Sequence, residues 1–319
     1  MKVILPGGSG QLGQILARHY ARRDCDVVVL SRKPSGQVST NERIRIVHWD
    51  AKTIGDWADE IDGADLVINL TGRSVDCRYN DRNRLAIMDS RVDSTRAVVN
   101  AIRQAANPPK LFLQSSTATI YSHRFDAAND DVNGIIGGKE PNLPDTWKFS
   151  IDVATAWEAA ATQQELPGTR TVLLRSAMVM SPDAGGVFDV LLRLVRLGLG
   201  GTNGSGKQFV SWIHDADFIS AIDWIADHEE LSGPINLSSP GPLPNREFMA
   251  AIRKSWGQPI GLPATRWMLE IGAFFLRTET ELILKSRRVV PTRLIESGFR
   301  FQFDSWLAAC EDLCSRRRQ

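Results

Sequence analysis

The glycine-rich stretch near the N-terminus constrains the fold of this chain more than any other sequence feature. An apolar run from Val3 to Leu5 leads through Pro6 into glycines at positions 7, 10 and 13, and a helix-like segment follows. Glycine permits unusual backbone dihedral angles and lets a ligand approach the main chain where no Cβ stands in the way. A strand, a glycine turn and a helix in this order predict a dinucleotide site; the alternative is a turn that only connects two elements.

The helix after the turn would supply the second half of such a site. Its first residues present free N–H groups and the positive end of the helix dipole, which together bind a pyrophosphate. The spacing is Gly-x-x-Gly-x-x-Gly, one residue longer than the Gly-x-Gly-x-x-Gly form. We expect the cofactor to contact this turn through Gly7, Ser9, Gly10, Gln11, Leu12 and Gly13.

Apolar, β-branched runs alternate with helical patterns through the first half of the chain. Continuous apolar strands are typical of parallel sheets that helices cover on both faces. We expect strands at 26–30, 44–49, 65–70, 110–114 and 171–175, and helices at 53–61, 82–106 and 147–165. The alternation predicts an α/β fold with a doubly wound (Rossmann) parallel sheet. We place the cofactor-binding domain at residues 1–180.

Beyond residue 180 the alternation weakens. We expect helices at 185–197 and 215–227, strands at 210–214 and 234–238, and mostly short helices near the C-terminus. Residues 181–319 are therefore predicted to form a smaller, mostly helical substrate-binding part, with a helical domain at 263–315. The stretch 126–144 is rich in Asp, Asn, Gly and Pro and predicts a long loop, as in lids and binding loops.

The end of the second predicted strand bears on the choice of cofactor. That strand runs into Ser31, Arg32 and Lys33. In NAD-binding sites an acidic residue at this place accepts hydrogen bonds from the ribose 2′-hydroxyl. A hydroxyl and two cations suit a 2′-phosphate instead. The sequence thus favours NADP(H) over NAD(H), and the alternative is an ordinary basic loop.

The charge balance argues against nucleic acid or a membrane surface as partner. Lysine and arginine number 38 against 37 aspartate and glutamate, a formal net charge of +1. The terminal arginines 316–318 are expected to form a solvated tail. The apolar stretch from Trp267 to Leu276 cannot span a bilayer, which takes about 20 apolar residues. We therefore expect a soluble monomer or homodimer that acts on a small molecule.

The cysteines show neither a disulfide framework nor a metal-binding pattern. No histidine lies at metal-ligand spacing from Cys25, Cys77, Cys310 or Cys314, so we expect no bound metal. The spacing of Cys310 and Cys314 puts them on one face of a helix, which indicates packing. A chain of this kind suits the reducing cytoplasm.

Short stretches along almost the whole chain resemble one known family. Besides the glycine turn they are Asn69–Gly72, Cys77–Tyr79, Ser90–Thr95, Leu174–Arg175, Gly204–Gln208, Ser211–Asp217, Ile235–Leu237 and Val289–Pro291. Together they are similar to the extended short-chain dehydrogenases/reductases, the NAD(P)-dependent epimerase/dehydratase superfamily. The resemblance is closest to the branch called epimerase family proteins, which carry a small C-terminal domain of unknown function.

The resemblance implies a Rossmann-type cofactor domain and a smaller part that closes over the substrate. It implies that Asp50 lies near the adenine and that Leu70, Thr71 and Gly72 line the cofactor path. We also expect Ser115, at the end of the fifth strand, to contact the cofactor. The resemblance supplies no substrate.

The catalytic pair of this superfamily is missing. Its reductases carry a tyrosine and, four residues later, a lysine, and the pair passes a proton as hydride moves. The tyrosines here stand at positions 20, 79 and 121, and none has a lysine four residues on. The resemblance puts Ser150 and Ala154 at the two positions of the pair. It puts Thr117 at the position of a hydroxyl that contacts the reacting oxygen.

A substitute proton donor must come from elsewhere. Tyr121 is the first choice because it follows Thr117 closely, and Lys148 and His214 are the alternatives. His214 has a pKa that its surroundings readily shift, but a structural role is favoured over a catalytic one for this histidine.

Three residues are predicted to contact the substrate: Arg78, Trp212 and His214. Arg78, and likewise Arg91, could hold a carboxylate or phosphate with two parallel hydrogen bonds. The alternative for each arginine is a place on a helix surface.

Two functions remain open from the sequence. One is an NADP(H)-dependent oxidoreductase, or an enzyme similar to the nucleoside-diphosphate-sugar epimerases, with a small organic substrate. The other is a non-catalytic NADP(H)-binding sensor or regulatory protein that keeps the cofactor site without the catalytic pair.

Overall fold

The computed structural model describes residues 1–33, 41–265, 267–268 and 279–319. The strands are β1 (Lys2–Pro6), β2 (Asp26–Ser31), β3 (Ile44–His48), β4 (Leu66–Asn69), β5 (Leu111–Thr117), β6 (Arg170–Ser176), β7 (Met178–Met180), β8 (Phe209–Val210), β9 (Trp212–His214), β10 (Gly233–Leu237) and β11 (Leu243–Pro244). Seven of them form one sheet in the order β10-β6-β5-β4-β1-β2-β3, with every neighbouring pair parallel. The remaining strands form two small sheets, β7 with β9 and β8 with β11.

The strand order reverses at β1. From β1 the chain runs outward to β2 and β3, then returns to β4 on the other side of β1. A ligand of an open α/β sheet binds beyond the carboxyl ends of the strands at such a switch point. The predicted α/β fold with a doubly wound parallel sheet is confirmed. β10 joins this sheet although it follows residue 180, so the proposed boundary between two parts stays a prediction.

Helices cover both faces of the sheet. In the described residues they are α1 (Gln11–Arg22), α2 (Asp81–Gln104), α3 (Asp145–Thr162), α4 (Val187–Arg196), α5 (Asp215–Asp227), α6 (Asn245–Trp256), α7 (Glu281–Leu284), α8 (Thr292–Glu296) and α9 (Trp306–Arg318). Successive strand residues point to opposite faces, and both faces here are apolar. Val3 and Leu5 pack on the side of α1 and α5, and Ile4 packs on the side of α2 and α3.

The C-terminal helix α9 packs against α6 in a separate apolar cluster with Trp212 and Phe248. Cys310 and Cys314 are buried in this cluster, which confirms that they share one packed face. Among the described residues, no group of acidic, histidine and cysteine side chains could hold a metal ion. None of the helices in these residues is long and apolar enough to cross a membrane.

The terminal arginines do not form a free tail, although Arg316 and Arg318 are exposed as expected of a solvated segment. Arg316 forms ion pairs with Asp215 at 2.7 Å and with Asp312 at 3.1 Å, and Arg317 pairs with the buried Asp189 at 2.9 Å. Arg318 donates to the carbonyl of Trp256. The three arginines tie the end of α9 to α4, α5 and α6, because α9 continues almost to the last residue.

Two further predictions on local structure differ in detail from the fold. The helix expected at 53–61 is a short 3-10 helix, Asp56–Glu60. The strand expected at 210–214 is split at Ser211 into β8 and β9, because the two pieces pair with different strands, β11 and β7. The loop at 126–144 is present and is tied to the C-terminal region by Asn129, which bridges to Val289. Most of the apolar stretch from Trp267 to Leu276 lies outside the described residues.

Candidate cofactor and substrate site

A cleft of about 370 Å³ lies at the carboxyl edge of the sheet, where β1 and β4 are neighbours. We call it the cofactor cleft. The structure brings nine predicted cofactor residues into its lining: Gly7, Ser9, Gly10, Ser31, Arg32, Asp50, Leu70, Thr71 and Gly72. The other five predicted residues do not line it: Gln11, Leu12, Gly13, Lys33 and Ser115.

Each of the three glycines of the turn is required for a different structural reason. Gly7 has a φ of +75°, and a Cβ there would lie 2.8 Å from the Cα of Thr71. A Cβ at Gly13 would lie 2.3 Å from the Cα of Gly8, so α1 can pack against the turn only without a side chain. A Cβ at Gly10 would meet only the carbonyl oxygen of Gly7, at 3.6 Å. Gly10 therefore faces open space, where a phosphate can approach the backbone.

The start of α1 is open in the same direction. Gly10 is its N-cap and supplies no side-chain cap to the first N–H groups of the helix. Just inside the helix, the side-chain nitrogen of Gln11 is buried without a hydrogen-bond partner in the described residues. Free amides and an unsatisfied donor at a helix N-terminus are the environment that a pyrophosphate needs.

The end of β2 lies beside the glycine turn. The Ser31 hydroxyl donates to the Ser9 hydroxyl at 3.2 Å and accepts from the N–H of Lys33. Arg32 lines the cleft and forms no ion pair within the described part of the chain, and Lys33 is exposed. Arg32 is thus an available cation at the ribose end of the cleft.

Asp50 follows β3, the strand next to β2, and also lines the cofactor cleft. Its carboxylate accepts hydrogen bonds from the N–H of Lys52 and from both the N–H and the hydroxyl of Thr53. These bonds, with the Thr53 hydroxyl first, lower the pKa of the Asp50 carboxyl group. Lys52 also lines the cleft, a contact that the sequence analysis missed, but it lies 3.4 Å from Asp93. The residues present therefore fit a phosphorylated dinucleotide.

A second cavity of about 200 Å³ lies beyond β5 and β6. We call it the inner cavity. Its apolar wall includes Val75, Ile87, Phe149, Val153, Trp157 and Met178. Its polar and charged lining includes Tyr79, Arg91, Thr117, Thr119, Ser150, Ser176, Ser211, Glu281 and Arg287. A small apolar cavity with a few converging polar groups is the usual form of a substrate site.

Thr117 ends β5 at the wall of the inner cavity. Its side-chain oxygen accepts a hydrogen bond from the N–H of Thr119 at 3.2 Å, so its own O–H can donate elsewhere. Ser150 and Ala154 of α3, which stand at the positions of the missing pair, line the same cavity. The structure thus brings the predicted hydroxyl and the two substituted positions together.

Residues 279–289, which we call the closing segment, cover the inner cavity. Glu279 accepts from the N–H of Tyr79 at 2.9 Å, and the Ser150 hydroxyl donates to the Glu281 carboxylate. Lys285 donates to the carbonyl of Thr119 at 2.8 Å, and Arg287 donates to the Thr119 hydroxyl at 3.0 Å. These bonds tie a C-terminal segment to α3 and to the turn after β5.

Burial shifts the pKa of several groups in this region. It raises the pKa of Glu281, which is 1% exposed, against the opposing effect of Arg287. It lowers the pKa of Lys285 to about 8 and that of Arg91 to about 10. Glu281 therefore holds its proton more readily than an exposed glutamate, and the neutral form of Lys285 is unusually accessible.

Tyr121 lies outside both cavities. Its hydroxyl donates to the side-chain oxygen of Asn236 at 2.9 Å and accepts from Arg175 at 3.0 Å. Arg175 in turn pairs with Glu158 through both carboxylate oxygens. Burial raises the pKa of Tyr121, which makes its phenol a weaker acid. Tyr121 is therefore poorly placed to donate a proton to a ligand in the inner cavity.

The predicted substrate residues also lie apart from the inner cavity. Trp212 is fully buried and donates to the carbonyl of Gly241. His214 accepts from the N–H of Ala216 as the N-cap of α5. It also stacks on Phe303, with its second ring nitrogen 3.0 Å from Asp312.

The His214 environment is that of a structural histidine, and burial lowers its pKa. Arg78 pairs with Glu279 at 3.3 Å at the rim, without lining either cavity.

Tyr79, Glu281 and Arg287 line the inner cavity but were not predicted from the sequence. Tyr79 adjoins the predicted Arg78, which was a usable signal. No local pattern marks Glu281 or Arg287, because their contacts join segments more than a hundred residues apart, 131 between Ser150 and Glu281.

Family comparisons agree with this architecture. The model of the NAD dependent epimerase/dehydratase family matches residues 3–238, and a domain of unknown function (DUF1731) matches residues 264–313. An epimerase family protein of Staphylococcus aureus strain MRSA252 is 28% identical over 316 residues, covering 98% of this chain and 99% of its own. The epimerase family protein YfhF of Bacillus subtilis strain 168 is 28% identical over 320 residues, covering 100% of this chain and 99% of its own.

Solved structures share the fold over the full length. Human epimerase family protein SDR39U1 (isoform 2), solved with NADPH, superposes with a TM-score of 0.83 at 27% identity and covers 99% of both chains. UDP-N-acetylglucosamine 4-epimerase from Bacillus cereus superposes with a TM-score of 0.72 at 17% identity, covering 100% of this chain and 96% of its own. The second likeness shows the fold alone.

Proposed function

The chain belongs to the NAD-dependent epimerase/dehydratase family, and from that premise we propose that it is an NADP(H)-dependent oxidoreductase, or an epimerase-like enzyme, for a small organic substrate. The family establishes binding of a nicotinamide dinucleotide. The preference for NADP(H) rests on Arg32 and Ser31 at the end of β2 and on the absence of a carboxylate among residues 31–33. A human relative of similar fold was solved with NADPH.

One observation carries the proposal more than any other. Thr117 lines the inner cavity at the carboxyl end of β5, while Thr71 and Gly72 line the cofactor cleft just after β4, the strand next to β5. The two cavities thus lie at one edge of the sheet. A dinucleotide with its phosphates at Gly10 has room to extend along this edge toward the inner cavity.

NADPH, when bound, supplies a hydride to a carbonyl carbon of the substrate. The Thr117 hydroxyl then donates a hydrogen bond to the carbonyl oxygen, where negative charge develops. The proton comes from the protonated form of Glu281, which the raised pKa of this buried acid favours and in which its O–H donates to Ser150, the reverse of the hydrogen bond in the structure. The Ser150 hydroxyl gives its own proton to the substrate oxygen and takes one from the carboxyl group of Glu281. The product leaves as an alcohol. The Glu281 carboxylate, which lines the inner cavity, then regains its proton from solvent that enters the vacated cavity. In this route Ser150 and Glu281 replace the missing pair.

A non-catalytic NADP(H)-binding sensor is the second candidate. The observation in its favour is Ala154, which lines the inner cavity at the position that the resemblance gives to the lysine. Among the described residues that line this cavity there is no lysine. Under this alternative the inner cavity would hold a regulatory ligand rather than a reacting one.

The test has a binding arm and a turnover arm. We expect purified protein to bind NADPH more tightly than NADH in calorimetric titrations. Mixed with aldehydes, ketones and 2-oxo acids, NADPH should be oxidised, as followed by its absorbance, and nucleotide sugars should be checked for epimers by chromatography. Gly10→Val serves as the control for contaminating reductases. Tight NADPH binding with no turnover of any compound would favour the sensor.

A further inference from the structure

Arg91 occupies an unusual place between the two cavities. It lies on α2, lines the inner cavity, and its guanidinium stacks over the ring of Trp157 at 5.0 Å. Its Nη1 donates to the backbone carbonyls of Arg73 and Ile87, each at 3.1 Å. These contacts fix the plane of the guanidinium.

The other edge of the guanidinium is free. Within the described residues, Nε and Nη2 of Arg91 donate to no protein group. A Cβ at Gly72 would lie 3.1 Å from Cζ, so the missing side chain of Gly72 leaves room for one face of the guanidinium, and such a Cβ would not occupy the Nε–Nη2 edge. The Nε–Nη2 edge is one of those through which arginine binds a carboxylate with two parallel hydrogen bonds.

No carboxylate of the described residues forms an ion pair with Arg91. The acid in the same cavity, Glu281, lies 3.5 Å from Arg287 and accepts from Ser150. Burial lowers the pKa of Arg91 to about 10, and the opposing effect of Tyr79 is too small to offset the loss of water. A largely buried cation without a counter-charge is costly, and a bound anion would remove that cost.

We propose that the inner cavity binds a small carboxylate substrate, with its carboxylate on the Nε–Nη2 edge of Arg91 beside the cofactor cleft. The proposal rests on the proposed function, because it gives the substrate class of that enzyme. The cavity volume of about 200 Å³ limits the ligand to a small acid. Gly72 lines the cofactor cleft, so the carboxylate lies next to the path of the cofactor.

The test uses NADPH-loaded full-length protein and two probes, malonamate and malonamide, which differ by one carboxylate. In calorimetric titrations malonamate should bind and malonamide should not. Arg91→Gln should weaken malonamate by about 10- to 100-fold, since two charge-assisted hydrogen bonds are lost. Arg91→Lys should give an intermediate loss, because a lysine keeps the charge and loses the planar pair of donors.

Arg96→Gln is the matched control, because Arg96 lies on the same helix with its side chain exposed to solvent. We expect it to leave both affinities unchanged. NADPH is titrated separately into each variant. Failure of wild type to bind NADPH would refute the proposed function, whereas normal NADPH binding without malonamate binding would refute only the carboxylate site.

Two further outcomes would also overturn the carboxylate site. If Arg91→Gln loses NADPH affinity to the same extent, Arg91 serves the cofactor. If inorganic phosphate displaces malonamate and binds more tightly, the site takes a phosphate instead. Should Arg91→Gln fail to fold, Arg91→Lys tests the same site, because a lysine keeps the charge and lacks the planar pair of donors.

Discussion

The two cavities are built from very different amounts of chain. The residues that line the cofactor cleft fall between Gly7 and Asp93, and they include Gly7, Ser9 and Gly10 of the glycine turn. The residues that line the inner cavity fall between Val75 and Arg287, and side chains supply its chemistry. The cleft thus depends on where a side chain is missing, and the cavity depends on which side chains are brought together.

This difference explains how one fold serves many substrates. A turn that binds a pyrophosphate through its backbone restricts the sequence at a few glycines. The inner cavity draws on α2, on α3, on the strand ends and on the closing segment, so its lining can change without disturbing the cleft. Substitutions in the two regions should therefore separate cofactor binding from turnover.

The largest effect is expected in the cofactor cleft, at Gly10. Gly10→Val should abolish NADPH binding while the fold survives, because its Cβ meets only an oxygen at 3.6 Å and its φ of −73° suits any residue. Gly13→Val is the contrasting variant and should fail to fold, since its Cβ would lie 2.3 Å from the Cα of Gly8. Circular dichroism and NADPH titration check both.

Normal NADPH binding by Gly10→Val would place the phosphates away from the turn. A folded Gly13→Val protein with normal affinity would refute the packing reason given for that glycine.

The cleft was largely predictable because its signals are local. An apolar run, three glycines and a helix pattern lie within one short stretch, and the ends of parallel strands always meet at one edge of the sheet. Thr117 followed from the same rule. The short 3-10 helix Ala118–Ile120 comes between Thr117 and Tyr121, and Tyr121 lies against Arg175 instead of the inner cavity. The sequence carries no sign of that change in direction.

The inner cavity was less predictable for a physical reason. Glu281 and Arg287 reach it only because the closing segment docks on α3 and on the turn after β5. Trp212 and His214 have residue types that suit a substrate site, but β9 is short and buried, and both side chains pack into the protein. Which polar residues are buried for packing and which face a cavity is decided by tertiary contacts that one sequence does not reveal.

The next largest effect is expected in the inner cavity, at Thr117. Once a substrate is found, Thr117→Val should lower turnover by about 100- to 1000-fold, the usual cost of removing one donor to a developing negative charge. NADPH affinity should stay unchanged, because Thr117 does not line the cofactor cleft. Steady-state kinetics with saturating NADPH gives the first value and titration gives the second.

Equal turnover of wild type and Thr117→Val would show that the Thr117 hydroxyl does not donate to the reacting oxygen. A parallel loss of NADPH affinity would mean that the two regions are not separable at this residue.

A moderate effect is expected at the ribose end of the cleft. Arg32→Ala should weaken NADPH by about 10- to 100-fold and leave NADH unchanged, because only NADPH carries the 2′-phosphate. Lys33→Ala is the neighbouring control, and its effect should be smaller because Lys33 is exposed and does not line the cleft. Equal affinity of wild type for the two cofactors in calorimetry would refute the NADP(H) preference.

The smallest effect on turnover is expected at Tyr121, although it lies four residues from Thr117. Its hydroxyl joins Asn236 to Arg175, so Tyr121→Phe should cost about 1–3 kcal/mol of unfolding free energy by removing the hydrogen bonds of Asn236 Oδ1 and Arg175 Nη1 to the phenol. Turnover per folded molecule should stay close to that of wild type, because the phenol does not line the inner cavity. Urea denaturation and kinetics normalised to NADPH-binding sites separate the two effects. A marked loss of turnover at unchanged stability would contradict this prediction. It would indicate that the Tyr121 phenol contacts the reacting oxygen and belongs to the inner cavity, not to the scaffold.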